Sequence, residues 1–204
     1  MRQTVVRTEE LNTQNFGELP NFSLFPYSCK YCAYWESLNF DETTKKEDAE
    51  DTKRKWFIRV GKEFGNCGFI AYVGDAPTGV AIYAPAKYFP TISRYGLSPS
   101  RDAIFLACLY IPKRKLRGKG IGKQLLERVA CDLRSRGYGA IEVFVRTSDI
   151  PSSNIEEWCT GPLEFFLGMG FKIRRRMGEI ALLRKDLGKL KNREKETLSR
   201  TPRA

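Results

Sequence analysis

Residues 116–126 read LRGKGIGKQLL, with Gly118, Gly120 and Gly122 two apart and Lys115, Arg117, Lys119 and Lys123 among and beside them. Glycines remove the side chains that keep a ligand off the backbone. The residues that follow have helical spacing, with Leu125, Leu126, Val129 and Leu133 on one face. A helix that begins here points its first unpaired N–H groups, and the positive end of its dipole, at whatever lies in front. Glycines, a helix start and four cations describe a site for an anion the size of a pyrophosphate. Two common phosphate motifs do not fit. A P-loop needs four residues between its glycines, and three separate Gly118 from Gly122. The dinucleotide fingerprint G-x-G-x-x-G fails as well, because this stretch reads G-x-G-x-G.

A second stretch, CKYCAYWE from Cys29 to Glu36, places Cys29 and Cys32 three apart. A structural zinc takes four ligands, usually as two such pairs. Here there is one pair, Cys67 as a conceivable third ligand, and no histidine in all 204 residues. Redox use of C-x-x-C normally comes with a thioredoxin-like βαβ context, which the sequence lacks. The expectation is therefore no metal. The missing histidine also excludes Ser-His-Asp and Cys-His triads, so acid–base work falls to Glu, Asp, Tyr, Cys, Lys or water.

These residues need a scaffold, and the hydrophobic pattern supplies one. TVVRTEEL reads as a strand, and Tyr27 to Ser37 as a short helix. DETTKKEDAEDTKRKWFIRVGKEFG reads as a long helix with acids first and cations later, as the macrodipole prefers. CGFIAYV and TGVAIYA flank the turn sequence GDAP, a hairpin. PAKYFPTISRYGLSPS is loop. AIFLACLYI, residues 103–111, is an apolar run suited to a strand buried on both faces. The helix after the glycines stops at Gly137, AIEVFVR is a strand, GPLEFFLGMGF a short helix with Pro162 in its first turn, and FKIRRRMGEIALLRKDL a final hairpin turning at Met177-Gly178. The order gives a single α/β or α+β domain: a mixed sheet with helices packed on it.

The stretch does satisfy R-x-x-G-x-G, through Arg117, Gly120 and Gly122. With the strand ending LYIP before it, the amphipathic helix after it and FFLGMGF downstream, the sequence resembles the GNAT superfamily of acyl-CoA N-acyltransferases. Their signature is Q/R-x-x-G-x-G/A, and they carry an FYxxxGF element. The resemblance spans roughly residues 67–187. It extends to a subgroup of unassigned substrate with a CxxCxxWE segment near its N-terminus. It implies a mostly antiparallel central sheet flanked by helices. It also implies acetyl-CoA as cosubstrate, held by the backbone of Leu109, Tyr110 and Ile111 along the pantetheine arm and by Arg117, Gly118, Lys119, Gly120, Ile121, Gly122 and Lys123 at the pyrophosphate. An amine would attack the thioester directly. Residues 1–66 would form the acceptor wall, with Tyr31, Cys32, Tyr34 and Trp35 near the pocket and PAKYFPTISRY as the other rim. Residues 67–187 would form the cofactor core and 188–204 a basic tail.

One position departs from the family. Aligned on Gly170-Phe171, the tyrosine that often protonates the leaving sulfur is Phe166, which has no proton to give. Cys159, before the Gly161-Pro162 helix start, is a candidate acid beside Ser152 and Ser153, and unassisted departure of the thiolate is the alternative. Candidate bases are Glu36, Asp149 and Glu142, or a water chain.

The formal charge is +11, and residues 184–204 carry eight Lys/Arg against three Asp/Glu, so almost half the excess lies in these last 21 residues. Such charge favours anionic partners. A competing function is therefore a weakly catalytic scaffold that grips nucleic acid or protein through its basic surface, although the tail's acids and lack of aromatics make nucleic acid an unspecific partner. No 18-residue apolar run and no leader-like apolar segment occur, so the expectation is a cytoplasmic protein with reduced thiols, off the membrane, as monomer or homodimer.

Overall fold

A computed structural model describes residues 6–20, 28–41, 43–147 and 161–188. Eight strands form one sheet in the order β1-β2-β3-β4-β5-β8-β7, with β6 beside β5. The strands are β1 (Arg7–Glu10), β2 (Gly68–Val73), β3 (Ala76–Pro85), β4 (Ala103–Tyr110), β5 (Ala140–Arg146), β6 (Gly161–Pro162), β7 (Lys172–Met177) and β8 (Ile180–Asp186). The helices are α1 (Lys46–Glu63), α2 (Ile121–Ser135) and α3 (Leu163–Gly168). Pairing is antiparallel except for β4 with β5 and β5 with β6. This is the mixed, mostly antiparallel sheet expected from the sequence.

One expected element is absent. Ser28–Ser37 is a run of turns rather than a helix, held by bonds such as Tyr31 N–H to the Ser28 carbonyl and Ser37 N–H to the Ala33 carbonyl. Side chains pin it instead. Trp35 packs against Tyr95 and Phe105, and the Thr91 hydroxyl bonds the Tyr34 and Ser37 carbonyls. Buried aromatic contacts here override local helix propensity.

The sheet separates two cores. On one face lie the 28–41 turns and α1, whose buried residues Ala49, Lys53, Trp56, Phe57 and Val60 make a stripe at helical spacing. On the other lie α2, through Ile121, Leu125, Leu126, Val129, Ala130 and Leu133, and Phe166 of α3. A strand should alternate between these faces, and β4 does so only in part. Ile104 and Leu106 face α2, Phe105 faces α1, and then Ala107, Cys108 and Tyr110 all join the α1 side. The reason is a bulge. β3 pairs Tyr83 with Leu106 and Ile82 with Cys108, leaving Ala107 as the extra residue.

The bulge matters because β4 and β5 then part. Their ladder covers Ala103↔Ala140, Ile104↔Ile141 and Phe105↔Glu142 and goes no further. Beyond it, β6 pairs with Val145 and Arg146 of β5. The result is a cleft between two strands that began side by side. Its closed end is clamped by Glu142. This fully buried carboxylate accepts hydrogen bonds from the Ser100 N–H at 2.6 Å, the Ser100 hydroxyl at 2.8 Å and Arg184 at 3.3 Å. Glu142 is thereby removed as a candidate base, since it faces neither solvent nor the cleft mouth.

Several buried groups carry raised pKa values. Burial pushes the Cys67 thiol up from 9.0 to about 12. Burial, with Asp132 beside it, raises the Tyr83 phenol further. In the unfolded chain these groups lose protons near pH 9–10, while the folded protein retains them, so the unfolded state gains as pH rises. Stability should fall steadily from pH 9 toward pH 12 in denaturant titrations. Cys67→Ala should flatten that slope even though it lowers stability at pH 7.

Candidate functional site

Two elements meet at the mouth of the cleft: the open arm of β4 and the start of α2. The glycine turn between them depends on backbone conformations that side chains avoid. Gly118 and Gly120 have φ of +72° and +83°. Gly120 is the N-cap, with no side-chain cap bond, and the first helical bond runs from Gln124 N–H to its carbonyl. The amides of Ile121, Gly122 and Lys123 therefore have no partner within α2. The Gln124 side-chain nitrogen is also buried without a hydrogen-bond partner among the described residues. Sequence reasoning missed this donor, because a glutamine after Gly-Lys reads as an ordinary helix residue. The turn thus offers oriented donors, an open dipole end and an orphaned amide, which fits an anion and supports the expected pyrophosphate grip.

Arg117, the signature's first residue, does something else. Its Nε donates to the Ile111 carbonyl at 2.8 Å, and its guanidinium lies over the Tyr110 ring at 5.7 Å. It staples the end of β4 to the turn. Lys119 and Lys123 are exposed beside the helix start, where they add charge. On the cleft side, Leu109, Tyr110 and Ile111 lie beyond the last β4–β5 pair, and the Ile111 carbonyl accepts from Arg117.

The FYxxxGF-like element is α3. Phe166 is buried against Phe171, with Gly161 tight on its ring. Phe165 instead lies over the glycine turn, its ring 3.5 Å from where a Cβ on Gly122 would be. Neither carries a hydroxyl. On the open arm of β4 the phenol is Tyr110, and burial raises it, so it stays protonated.

Of the catalytic candidates, Cys159 and Asp149 lie outside the described residues, as do Ser152 and Ser153. Glu36 is described, and its side chain is 2% exposed. Its Oε1 pairs with Lys53 at 3.1 Å, and its Oε2 has no hydrogen-bond partner among the described residues. Lys53 also donates to the Cys32 carbonyl at 2.7 Å. Burial alone would push the Lys53 ammonium down, but Glu36 and the thiols of Cys32, Cys108 and Cys29 outweigh it and hold it above the ordinary lysine range. The sequence contained this signal: Lys53 falls on the apolar stripe of α1, four after Ala49 and three before Trp56.

The C-x-x-C segment belongs to the same cluster. A hydrogen bond to Cys108, at the β4 bulge, raises the Cys29 thiol, and burial raises it further. The thiol that meets Cys29 is thus Cys108, rather than the Cys67 considered from sequence. Among the described residues no group of three His, Cys, Asp or Glu is placed to hold a metal ion. The cation beside these sulfurs is the Lys53 ammonium.

A mixed sheet whose two central parallel strands splay in front of a glycine-rich helix start is the architecture of an acyl-CoA transferase. The chain matches the acetyltransferase (GNAT) family over residues 31–155 and belongs to it. It is an acetyl-CoA-dependent acyltransferase. Solved structures share the fold at low identity. PaiA N-acetyltransferase from Thermoplasma acidophilum, in complex with coenzyme A, aligns with a TM-score of 0.55 at 13% identity, over 89% of this chain and 99% of that one. A ribosomal-protein-alanine N-acetyltransferase from Brucella melitensis gives 0.56 at 15%, over 88% and 99%. An N-acetyltransferase from Staphylococcus aureus Mu50 gives 0.55 at 15%, over 90% and 99%. A search of curated protein sequences finds no match. No helix among the described residues is long and apolar enough to cross a membrane.

The Lys53–Glu36 pair yields a stability prediction. Glu36→Ala strands a buried ammonium and should cost about 3–5 kcal/mol in chemical denaturation. Lys53→Met combined with Glu36→Leu, which removes both charges, should recover most of that loss.

Proposed function

We propose that the protein transfers an acetyl group from acetyl-CoA to a primary amine by direct attack, with residues 109–111 and 117–123 holding the cofactor. The observation that carries this reading is the paired geometry of the cleft: β4 leaves β5 after Phe105, and its open arm leads through the 3₁₀ turn Arg114–Leu116 to the uncapped glycine turn. One surface then holds the pantetheine arm by backbone pairing, and the next holds the pyrophosphate by N–H groups. Such positioning converts a two-body reaction into one within a complex. Backbone donors beside the thioester carbonyl would stabilise its developing negative charge.

The amine enters from the α1 face, because α2 and α3 cover the other. The described residues up to 66, together with the loop 86–97, would form its wall. Phe165 and Phe166 give no proton, so the thiolate leaves unassisted, which a thiol's moderate pKa permits. Cys159 stands as the alternative acid and Asp149 as the alternative base to a water chain. Glu36 is sealed beneath Lys53 and serves the wall more readily than the chemistry. The reading goes with a cytoplasmic location and with acetyl-CoA and an amine as the sole substrates. A nucleic-acid scaffold finds no support in the described surface beyond its charge.

The test is Gly120→Asp. It puts a carboxylate at the pyrophosphate position on a residue whose φ of +83° already disfavours a side chain. Calorimetric titration should show CoA binding lost in a variant whose far-ultraviolet circular dichroism is unchanged. Unaltered CoA affinity would place the cofactor elsewhere.

A further inference from the structure

The sulfurs of the C-x-x-C segment have no part in the acetyl-transfer reading, yet they gather where the cleft begins. Cys29 is buried in the core on the α1 face, and Cys32 and Cys108 pack half-buried against that core. Cys29 and Cys32 lie on the turns of 28–41, and Cys108 lies on β4. They meet because of the bulge. In a regular strand Cys108 would share a face with Leu106 and point at α2. With Ala107 as the extra residue, Cys108 and Tyr110 turn to the α1 side instead. A hydrogen bond then joins the Cys29 and Cys108 side chains. Both are free thiols.

Two further groups surround the pair. The Lys53 ammonium is held between Glu36 at 3.1 Å and the Cys32 carbonyl at 2.7 Å. The bond with Cys108 and burial keep the Cys29 thiol protonated, while the Lys53 charge pulls the other way and favours a thiolate. The Tyr110 phenol, on the open arm of β4, is raised by burial and then by the Cys29 and Cys108 sulfurs beside it. The two thiols differ in access. A reagent reaching this cluster meets the half-buried Cys108 before the buried Cys29. Only a small reagent fits that approach, since the Cys29 side is closed by the aromatic core.

We infer that Cys29 and Cys108 are a hydroperoxide-reactive pair that closes into a disulfide and ties the acceptor wall to the head of the cofactor arm. The Cys108 thiolate attacks one peroxide oxygen: an S–O bond forms, the O–O bond breaks, and one water leaves. The Cys29 sulfur then attacks the Cys108 sulfur. An S–S bond forms, the S–O bond breaks, and the Cys29 proton leaves with the departing oxygen as a second water. The two thiols lose two electrons between them, and the peroxide takes both. A thiol reductant reverses the change by exchange. Closure shortens a hydrogen-bonded contact to a bond of about 2.05 Å, so the backbone on one side or the other must move. Leu109–Ile111 follow Cys108 directly, so the arm proposed to hold the pantetheine moves with it. This consequence rests on the acetyl-transfer reading; the disulfide itself does not.

The experiment treats the reduced full-length protein with hydrogen peroxide, alkylates the remaining thiols under denaturing conditions and maps cross-links by peptide mass spectrometry. A Cys29–Cys108 cross-link should form, be retained in Cys32→Ser and be absent from Cys29→Ser and Cys108→Ser. Glutathione disulfide at the same concentration should form it about 10-fold more slowly, because exchange needs access to the sulfur. Calorimetric titration after the peroxide is removed should show acetyl-CoA affinity lowered about 10-fold, the worth of one displaced backbone hydrogen bond, and restored by dithiothreitol. A Cys29–Cys32 link in its place, oxidation of Cys108 that leaves Cys29 free to be alkylated, glutathione disulfide reacting as fast as peroxide, or a cross-link with unchanged acetyl-CoA affinity would each overturn the inference. If Cys29→Ser does not fold, the map of the unsubstituted protein and Cys108→Ser decide. Acetyl-CoA that fails to bind even the reduced protein, with the cross-link formed as expected, would remove the acetyl-transfer reading and retain the disulfide. Acetyl-CoA binding without any cross-link would remove the disulfide alone.

Discussion

β4 pairs with β5 for only three residues, and the cleft exists because it stops there. Two arrangements enforce the stop. The Ala107 bulge turns Cys108 and Tyr110 onto the α1 face and re-aims the strand. Below it, Glu142 ties Ser100 and Arg184 together at the closed end, and Arg184 reaches on to Asp102 and Asp186. The strands are clamped at one end and driven apart at the other. The β4 edge past Phe105 thereby loses the β5 partner that it would normally have. β6 occupies the β5 edge instead.

Each face of the sheet then takes one role. α2 brings its open N-terminus to the mouth, and Gly79 keeps that face close-packed: a Cβ there would sit 3.1 Å from Leu125. The α1 face combines that helix with aromatic turns. The rings of Trp35, Tyr95, Phe105 and Phe144 interlock beside the cleft at centroid distances of 4.7–6.2 Å. This cluster sets the floor on which an acceptor would rest. The Lys53–Glu36 pair locks the C-x-x-C segment over the bulge, so the segment acts as a wall whose position depends on charge pairing as well as on packing.

Much of this was legible in the sequence. The apolar run 103–111 and the α2 periodicity are local signals that kept their meaning as strand and helix, and the glycine spacing became the turn that starts α2. What escaped reading depended on contacts distant in sequence. Ser28–Ser37 has helix-compatible residues, but its conformation is set by Thr91, Tyr95 and Lys53, 17 to 61 positions away. Glu142 looked like a free carboxylate because its partners, Ser100 and Arg184, are 42 residues to either side. Arg117 matched the signature by position, yet its guanidinium is spent on the Ile111 carbonyl, a contact that no residue pattern announces. Phe166 lies buried against Phe171, while the ring over the glycine turn is that of its neighbour Phe165.

The central claim is that the open arm of β4 and the glycine turn hold one cofactor between them. Amide hydrogen exchange with and without CoA tests it most directly, because both surfaces bind through backbone N–H groups. The account predicts slowed exchange at residues 108–111 and at 118–123 together, at the same CoA concentration, with β1, β2 and β7 unchanged. Protection limited to the turn, or appearing on another part of the sheet with residues 108–111 unaffected, would contradict it.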